Sequence, residues 1–219
     1  MDYKNILSHI DHTLLKPQST CEQIEKLCRE ALEFKTASVC INPVHIKFAK
    51  SILGDNIPVC TVIGFPLGAS TAIQKAMEAK IAIADGADEI DMVANIGLIK
   101  EGRYSEVTEE IREVKKACGD KILKVIVETC LLTDEEKEKV CYSVIDGNAD
   151  FIKTSTGFST GGATFRDVEI FAKTCKGSIK IKAAGGMKSV EDMEKFLEIG
   201  ADRLGSSSGV SLIKEKMGL

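Results

Sequence analysis

Short β-rich runs alternate with amphipathic helical stretches along the whole chain, and this alternation constrains the fold more than any other feature of the sequence. Strict alternation implies parallel strands that are joined by right-handed crossovers. The predicted strands are His9–Thr13, Ala37–Ile41, Val59–Ile63, Glu89–Val93, Ile122–Val127, Asp150–Thr154, Ser178–Ala183 and Arg203–Gly205. The predicted helices are Thr20–Phe34, Val44–Leu53, Ser70–Ala84, Ile96–Lys100, Tyr104–Ala117, Thr133–Ile145, Thr164–Thr174, Val190–Ile199 and Ser211–Lys216.

Eight strand–helix units share 219 residues, which is about 27 residues a unit. This count predicts an α/β protein whose residues 1–219 form a single-domain (β/α)8 TIM barrel. A Gly-Ala-Asp turn precedes the fourth strand at Gly86 and the eighth at Gly200, which supports a repeat. An open doubly wound sheet is the alternative. Such a sheet normally carries a glycine-rich dinucleotide motif after its first strand, and this sequence has none there.

Composition narrows the possible partners and the cellular compartment. The net charge is −4 and there is no basic block, so neither nucleic acid nor a membrane is an expected partner. The eight cysteines are scattered singly, without zinc-ligand spacing, which favours reduced thiols and no metal site. No apolar run approaches the roughly 18 residues of a membrane span. We therefore expect a cytoplasmic protein.

Charged residues recur on one face of several predicted strands. In a barrel, alternate strand residues face the axis, while the outer face must be apolar because helices cover it. In the fourth strand Ile90 and Met92 share one face, which leaves the other face to the acidic residues. The same parity applied to other strands directs a charged set into the barrel. Its members are Asp11, Asp91, Lys124, Lys153 and Lys182.

Lysines that crowd together repel one another's protons, so at least one of them should have a lowered pKa. A neutral amine is a nucleophile whose characteristic reaction is imine formation with a carbonyl. A nearby carboxylate can transfer protons. The inward charges therefore indicate a Schiff-base lyase or aldolase that needs no metal and no other cofactor.

Two glycine-rich loops follow the last two strands and open the helices after them. They are Ala183–Met187 and Gly205–Gly209. Barrels frequently bind phosphate at these positions, because glycine lets backbone N–H groups approach an anion. Serine hydroxyls add donors, and Thr156-Gly157 after the sixth strand can contribute further. We expect a phosphorylated small molecule as substrate.

The sequence closely resembles the deoxyribose-phosphate aldolase family of class I aldolases over nearly its whole length. The most specific motifs are Phe151–Gly157 and Lys182–Gly186. Further matching segments are Ile10–Leu14, Val39–Ile41, Gly64–Gly68, Glu89–Val93, Leu123–Ile126 and Arg203–Ser208. The resemblance implies reversible cleavage of 2-deoxy-D-ribose 5-phosphate to glyceraldehyde 3-phosphate and acetaldehyde.

By position, the resemblance makes Lys153 the imine-forming lysine. Lys182 matches the second lysine, whose charge helps to deprotonate the first, and Asp91 matches the proton-relay carboxylate. Substrate-pocket positions are Asp11, Cys40, Lys124 and Thr156. Phosphate-contact positions are Gly157, Gly185, Gly186, Gly205, Ser207 and Ser208.

The chain departs from the family pattern at two points. Some members end in a tyrosine that enters the site, whereas this chain ends at Leu219, and Phe158 stands where some relatives have a lysine. Two other functions stay open: another phosphate-binding barrel enzyme, either a different sugar-phosphate aldolase or an isomerase, and a non-catalytic binding barrel. We also expect a homo-oligomer, with a dimer favoured, although the sequence does not indicate which face.

Overall fold

Eight parallel strands close into a barrel in which each strand pairs with its neighbour in the sequence and β8 pairs with β1. This computed structural model describes residues 2–219. The predicted (β/α)8 barrel is confirmed, and the open sheet is excluded because the strand order closes on itself. The strands are β1 Ile10–Leu14, β2 Ser38–Ile41, β3 Val59–Ile63, β4 Glu89–Val93, β5 Ile122–Ile126, β6 Phe151–Lys153, β7 Lys180–Ala184 and β8 Arg203–Ser206.

Helices surround the barrel and connect its strands. They are α1 Tyr3–Leu7, α2 Cys21–Phe34, α3 Ile46–Leu53, α4 Ala72–Ala84, α5 Ile96–Lys100, α6 Tyr104–Cys118, α7 Asp134–Asp146, α8 Phe165–Cys175, α9 Val190–Glu198 and α10 Gly209–Met217. Short 3-10 turns cover Pro43–His45 and Thr129–Leu131. Along residues 2–219, no helix is both long and apolar enough to cross a membrane.

Hydroxyl side chains begin many of the helices. Thr20 of α2 and Thr133 of α7, the first residues of two predicted helices, are N-caps. Each accepts a hydrogen bond from the third helical N–H, and the side chain of that third residue accepts a hydrogen bond from the backbone N–H of the cap. The helix predicted at Ser70–Ala84 begins later in the structure, at Ala72. Thr71 caps that helix, because Gln74 lies three residues later and accepts from the Thr71 N–H at 2.9 Å.

Apolar residues of the barrel fall into two clusters that follow strand parity. The large cluster lies between the outer strand faces and the helices, and it includes Ile90 and Met92. A smaller cluster lies inside the barrel on the side of β1 to β3 and consists of Leu15, Cys40, Cys60 and Val62, with Phe65 packed against it. The interior is therefore apolar on one side, which leaves its charged groups concentrated on the other.

Two structural features were absent from the sequence predictions. Helix α1 precedes β1, and the Asp2 carboxylate caps it by accepting from the N–H groups of Lys4 and Asn5. Lys75 of α4 is fully buried and ion-paired with Glu110 of α6 at 2.7 Å. Its ammonium also donates to the carbonyls of Gly68 and Val93, both at 2.8 Å, and so ties the loop after β3 to β4.

Replacement of Lys75 by methionine tests this buried ion pair. The variant leaves Glu110 buried without its cation, so we expect the free energy of unfolding to fall by about 3–5 kcal/mol in urea denaturation. Lys80→Met in the same helix removes an exposed ammonium and is the control, with an expected change within about 0.5 kcal/mol. Equal effects of the two substitutions would contradict the structural role.

Candidate active site

Asp91 lies at the centre of the barrel and binds three lysine ammonium groups. Lys153 and Lys182 both donate to its Oδ2 at 2.7 Å, and Lys124 donates to its Oδ1 at 2.9 Å. All four side chains are buried, with Lys153 at 3% exposure and the others at 0%. The structure thus brings together the predicted catalytic residues and one predicted pocket residue around a single carboxylate.

Strand register explains this convergence. Asp91 of β4 pairs with Lys124 of β5, and Lys153 of β6 pairs with Lys182 of β7. Because parallel neighbours in register point to the same side of the sheet, each pair directs both side chains to the axis. Strand closure then brings the two pairs together around the Asp91 carboxylate.

A second layer of charges lies deeper in the barrel. Asp11 of β1 contacts Lys182 closely and lies 3.8 Å from Lys124 Nζ. Arg203 donates to Asp11 Oδ1 at 2.5 Å and to Glu89 Oε1 at 3.2 Å, and Lys124 forms an ion pair with Glu89 Oε2 at 2.6 Å. Buried charges need such partners, because an unpaired buried charge is costly. The lower layer therefore fixes the lysines of the upper one.

Mutual pairing shifts the pKa of these groups in opposite directions. Burial alone would raise the pKa of Asp91, but Lys124, Lys153 and Lys182 reverse that effect and hold its pKa well below its usual range. Burial of Lys182 would lower its pKa, but Asp11 and Asp91 outweigh burial, and the net pKa is raised. The pKa of Lys124 is also raised, against burial, chiefly by Asp91. Crowding of the lysines predicts a lowered pKa. For Lys124 and Lys182 the neighbouring carboxylates reverse this prediction, and the pKa of each is raised.

A cavity of about 380 Å³ opens above the charged cluster at the carboxyl ends of the strands. Lys153 and Lys16 are the basic residues that line it. Every predicted phosphate-contact residue also lines it: Gly157, Gly185, Gly186, Gly205, Ser207 and Ser208. Asp91, Lys124 and Lys182 lie below this lining, so the Lys153 amine is the member of the cluster that faces the cavity.

Backbone geometry explains why glycine occupies the loop after β7. Gly185 and Gly186 have φ of +69° and +78°, in the left-handed region that side chains disfavour. A Cβ on Gly186 would also lie 2.5 Å from the Ala163 carbonyl oxygen. Gly205 has a different constraint, since a Cβ there would come within 3.1 Å of the Lys182 stem. Glycine at position 205 thus makes room for the lysine.

The other two predicted pocket residues, Cys40 and Thr156, differ in their surroundings. Cys40 is buried on β2 in the apolar part of the barrel interior. Thr156 lines the cavity, but its N–H and its hydroxyl both donate to Glu128, at 3.3 Å for the N–H and closer for the hydroxyl. The N–H and the hydroxyl of Thr156 therefore already have hydrogen-bond partners within the protein.

Cys60, Asp91 and Cys40 form one group whose sulfur and oxygen atoms lie within 4.8 Å of one another, and Asp11, Cys60 and Glu89 form a second. Such sets can ligate a metal ion. Here Cys60 donates to Asp91 at 3.1 Å and lysine ammonium groups already bind the carboxylates. A further cation at this place would be repelled by those ammonium groups.

Several residues of the cluster were missed as site residues. Glu89 has the inward parity of Asp91, and this signal could have identified it. Arg203 is the first residue of β8 and pairs in register with Lys182. Its place in the cluster follows from the alignment of β8 with β7, which the sequence alone does not give. Ser38 of β2 donates to Asp11 Oδ1 at 2.7 Å, yet its sequence neighbours give no sign of this contact.

The lowered pKa of Asp91 predicts a pH-dependent contribution to stability. An acid with a lowered folded-state pKa stabilises the protein above its unfolded pKa of about 4, and this stabilisation is lost as the pH falls through the folded value. Asp91→Asn should lower the free energy of unfolding at pH 7 by about 3–5 kcal/mol, because Lys153 loses its anion and Lys124 and Lys182 each lose one of theirs. The difference from wild type should shrink as the pH falls below about 4.

Urea denaturation across this pH range measures the effect, with the exposed Asp120→Asn as control. A wild-type advantage that stayed constant as the pH fell would contradict the assignment of the stabilisation to the Asp91 carboxylate.

Comparison with known proteins places this geometry in a family. Residues 5–216 match the model of the DeoC/LacD family aldolases. The chain is 52% identical over 214 residues to a deoxyribose-phosphate aldolase of Clostridium botulinum, which covers 98% of this chain and 97% of the relative. It is 54% identical over 212 residues to that of Streptococcus mutans, covering 96% of each.

A solved structure is also similar. A deoxyribose phosphate aldolase from Aeropyrum pernix, described as a unique tetramer, has a TM-score of 0.88 at 32% identity, covering 100% of this chain and 94% of that one. Its barrel is the same fold. The family match, the identities and the shared fold agree with one another over nearly the full length. The chain therefore belongs to the DeoC/LacD family of aldolases.

Proposed function

We propose that this protein cleaves 2-deoxy-D-ribose 5-phosphate reversibly to glyceraldehyde 3-phosphate and acetaldehyde through an imine on Lys153. One observation carries the proposal: the Lys153 amine faces the cavity while its Nζ shares Asp91 Oδ2 with Lys182. The repulsion between the two ammonium groups opposes the attraction of the carboxylate for each of them. The relatives named deoxyribose-phosphate aldolase support the choice of substrate.

The reaction begins when neutral Lys153 attacks the aldehyde carbon of the open-chain sugar. The carbinolamine loses water and leaves a protonated imine. Removal of the C3 hydroxyl proton breaks the C2–C3 bond, and the electron pair passes into the imine to give an enamine and glyceraldehyde 3-phosphate. Protonation of the enamine at C2 and hydrolysis release acetaldehyde and return the amine.

Asp91 and Lys182 carry the protons of these steps, together with water. Asp91 accepts hydrogen bonds from both lysine amines, so a proton leaving one amine has a short path to the other. Asp11 and Lys124 keep the pair in place from below, and Cys40 contributes to the apolar wall of the pocket. The substrate's carbon chain lies in the cavity above this layer, beside Lys153.

The phosphate group binds at the loops after β6, β7 and β8. Glycine and serine residues of these loops line the same cavity as Lys153. Helix α10 begins at Gly209, directly after Ser207 and Ser208, and the start of a helix favours an anion. Phe158 supplies no charge, but Lys16 lines the same cavity from the loop after β1 and provides a cation.

A homodimer in the cytoplasm is the assembly we propose. Five large apolar side chains are exposed on the side of α4 and the segments near it: Val44, Leu67, Ile73, Met77 and Ile81. Ile73, Met77 and Ile81 recur at every fourth position and form one helix face. A second copy of this chain is the occupant we assign, since the Aeropyrum pernix relative is described as a tetramer.

The proposed location in the cytoplasm rests on the cysteines. Eight free cysteines support a reducing compartment.

Borohydride trapping tests the proposed nucleophile. Incubation with acetaldehyde and borohydride should add one ethyl group to Lys153 and stop turnover, because reduction makes the imine permanent. Lys153→Ala should lose both the adduct and the cleavage of deoxyribose 5-phosphate. Lys180→Ala, in the next strand, removes an exposed amine and should retain both. An adduct on another lysine in active wild-type protein, or undiminished cleavage by Lys153→Ala, would rule out Lys153 as the nucleophile.

A charge on the apolar face of α4 tests the assembly. Met77→Asp buries a carboxylate in the proposed interface, so light scattering after size exclusion should report a monomer where wild type is a dimer. Tyr142→Asp alters an exposed aromatic residue on α7 and should leave the mass unchanged. A monomeric wild type, or a dimer that only Tyr142→Asp dissociates, would show that this face is not the interface.

A further inference from the structure

Glu128 follows β5 in a conformation that is unusual for a buried acidic residue. Its φ is +53°, in the left-handed region, and its exposure is 3%. Three other non-glycine residues in the part of the chain described have positive φ, and all three are exposed: Lys35, Asn148 and Lys176. Backbone strain of this kind persists only where the surroundings enforce it, and it concentrates at functional sites.

The Glu128 carboxylate has no cationic partner among residues 2–219 within ion-pair distance. Both of its oxygens lie 3.3 Å from the Thr156 N–H, and Oε2 accepts a closer hydrogen bond from the Thr156 hydroxyl. Its remaining contact is a long one, from Cys130 Sγ at 3.9 Å to Oε1. Since an unpaired buried carboxylate is costly, its retention here needs a reason beyond packing.

Thr156 links Glu128 to the loop after β6 by hydrogen bonds. Its Oγ1 accepts from the Phe158 N–H at 3.0 Å, so the hydroxyl links Glu128 to the residue beyond Gly157. The residues on either side of Glu128 bind β6 and its end: Val127 N–H donates to Lys153 O at 3.0 Å and Thr129 N–H donates to Thr154 O at 2.9 Å. One short turn thus fixes the segment that carries the proposed nucleophile and the first phosphate loop.

Gly157 lies between the two anchored residues and lines the cavity. Its φ is +82°, and no described group of the protein accepts a hydrogen bond from its N–H. The neighbouring amides of Thr156 and Phe158 are both occupied. The Gly157 N–H is therefore left free for a ligand in a loop that cannot easily reorient.

We infer that Glu128 is a positioning residue: through Thr156 it holds the loop after β6 in the shape that binds the substrate's phosphate, without touching the substrate itself. The inference rests on the proposed function, because it assigns this loop to the phosphate. A fixed donor binds more tightly than a mobile one, since no ordering cost is paid on binding. Glu128 thus acts on phosphate affinity more than on the chemistry at Lys153.

Three variants separate this role from general stabilisation. Thr156→Val keeps the side-chain shape and removes the hydroxyl link, and Glu128→Gln keeps the size while placing an amide donor against the Thr156 donors. Thr156→Ser retains the hydroxyl and is the matched control. We expect the first two to weaken inorganic phosphate binding about tenfold or more in calorimetry, and Thr156→Ser to stay within about twofold of wild type.

Kinetics supply the second measurement. KM for deoxyribose 5-phosphate should rise in Thr156→Val and Glu128→Gln by the same factor as the phosphate dissociation constant, whereas kcat and the activity on unphosphorylated deoxyribose should fall much less. Equal losses on the two sugars would overturn the inference, because a merely structural defect does not discriminate between them. Failure of both variants to fold while Thr156→Ser folds would also overturn it.

The phosphate measurement distinguishes failure of the inference from failure of the proposed function. A wild type that cleaves neither sugar but binds phosphate refutes the proposed reaction, and the affinities of the variants still decide the role of Glu128. A wild type that cleaves the phosphorylated sugar, with variants that bind phosphate as tightly as it does, refutes the inference alone. A wild type that does not bind phosphate overturns it as well.

Discussion

The structure depends on the attraction between the Asp91 carboxylate and the lysines that surround it. Asp91 and its partners in the two layers are four basic and three acidic side chains, which leaves one positive charge in excess: Lys124, Lys153, Lys182 and Arg203 against Asp11, Glu89 and Asp91. The pKa of Lys182 and that of Lys124 are raised, and an arginine stays charged. Lys153 is the member of this set that lines the cavity.

This charge cluster constrains everything built around it. Buried ion pairs need close, fixed geometry, so the strands must hold their register and the helices must cover the outer faces completely. The apolar wall formed by Leu15, Cys40 and Val62 keeps the opposite side of the interior free of further charge. Above the cluster, glycines at positive φ shape the loops that line the cavity, and Glu128, itself at a positive φ, is hydrogen-bonded to one of them through Thr156. In the function we propose, the chemistry and the phosphate binding use different layers of one barrel.

Much of this could be predicted, because strand parity has a period of two and the helices demand an apolar outer face. That logic alone directed Asp91, Lys153 and Lys182 inward. It could not predict the direction of the pKa shifts, which depends on distances to carboxylates on other strands. Nor could it find Glu128, whose role comes from a left-handed turn, or Lys75, whose partner lies on another helix. Lys75 did share helical spacing with buried Ala79 and Ala82, which was a usable signal.

The pH dependence of kcat/KM in wild type and Lys182→Leu measures how far Lys182 controls the charge on Lys153. Removal of Lys182 takes away a repelling ammonium and leaves Asp91 Oδ2 to Lys153 alone, so Lys153 should hold its proton more firmly. We expect the limb that reports deprotonation of the proposed nucleophile to move upward by about one pH unit or more. A profile that kept its position while the rate fell would show that Lys182 does not control the charge on Lys153.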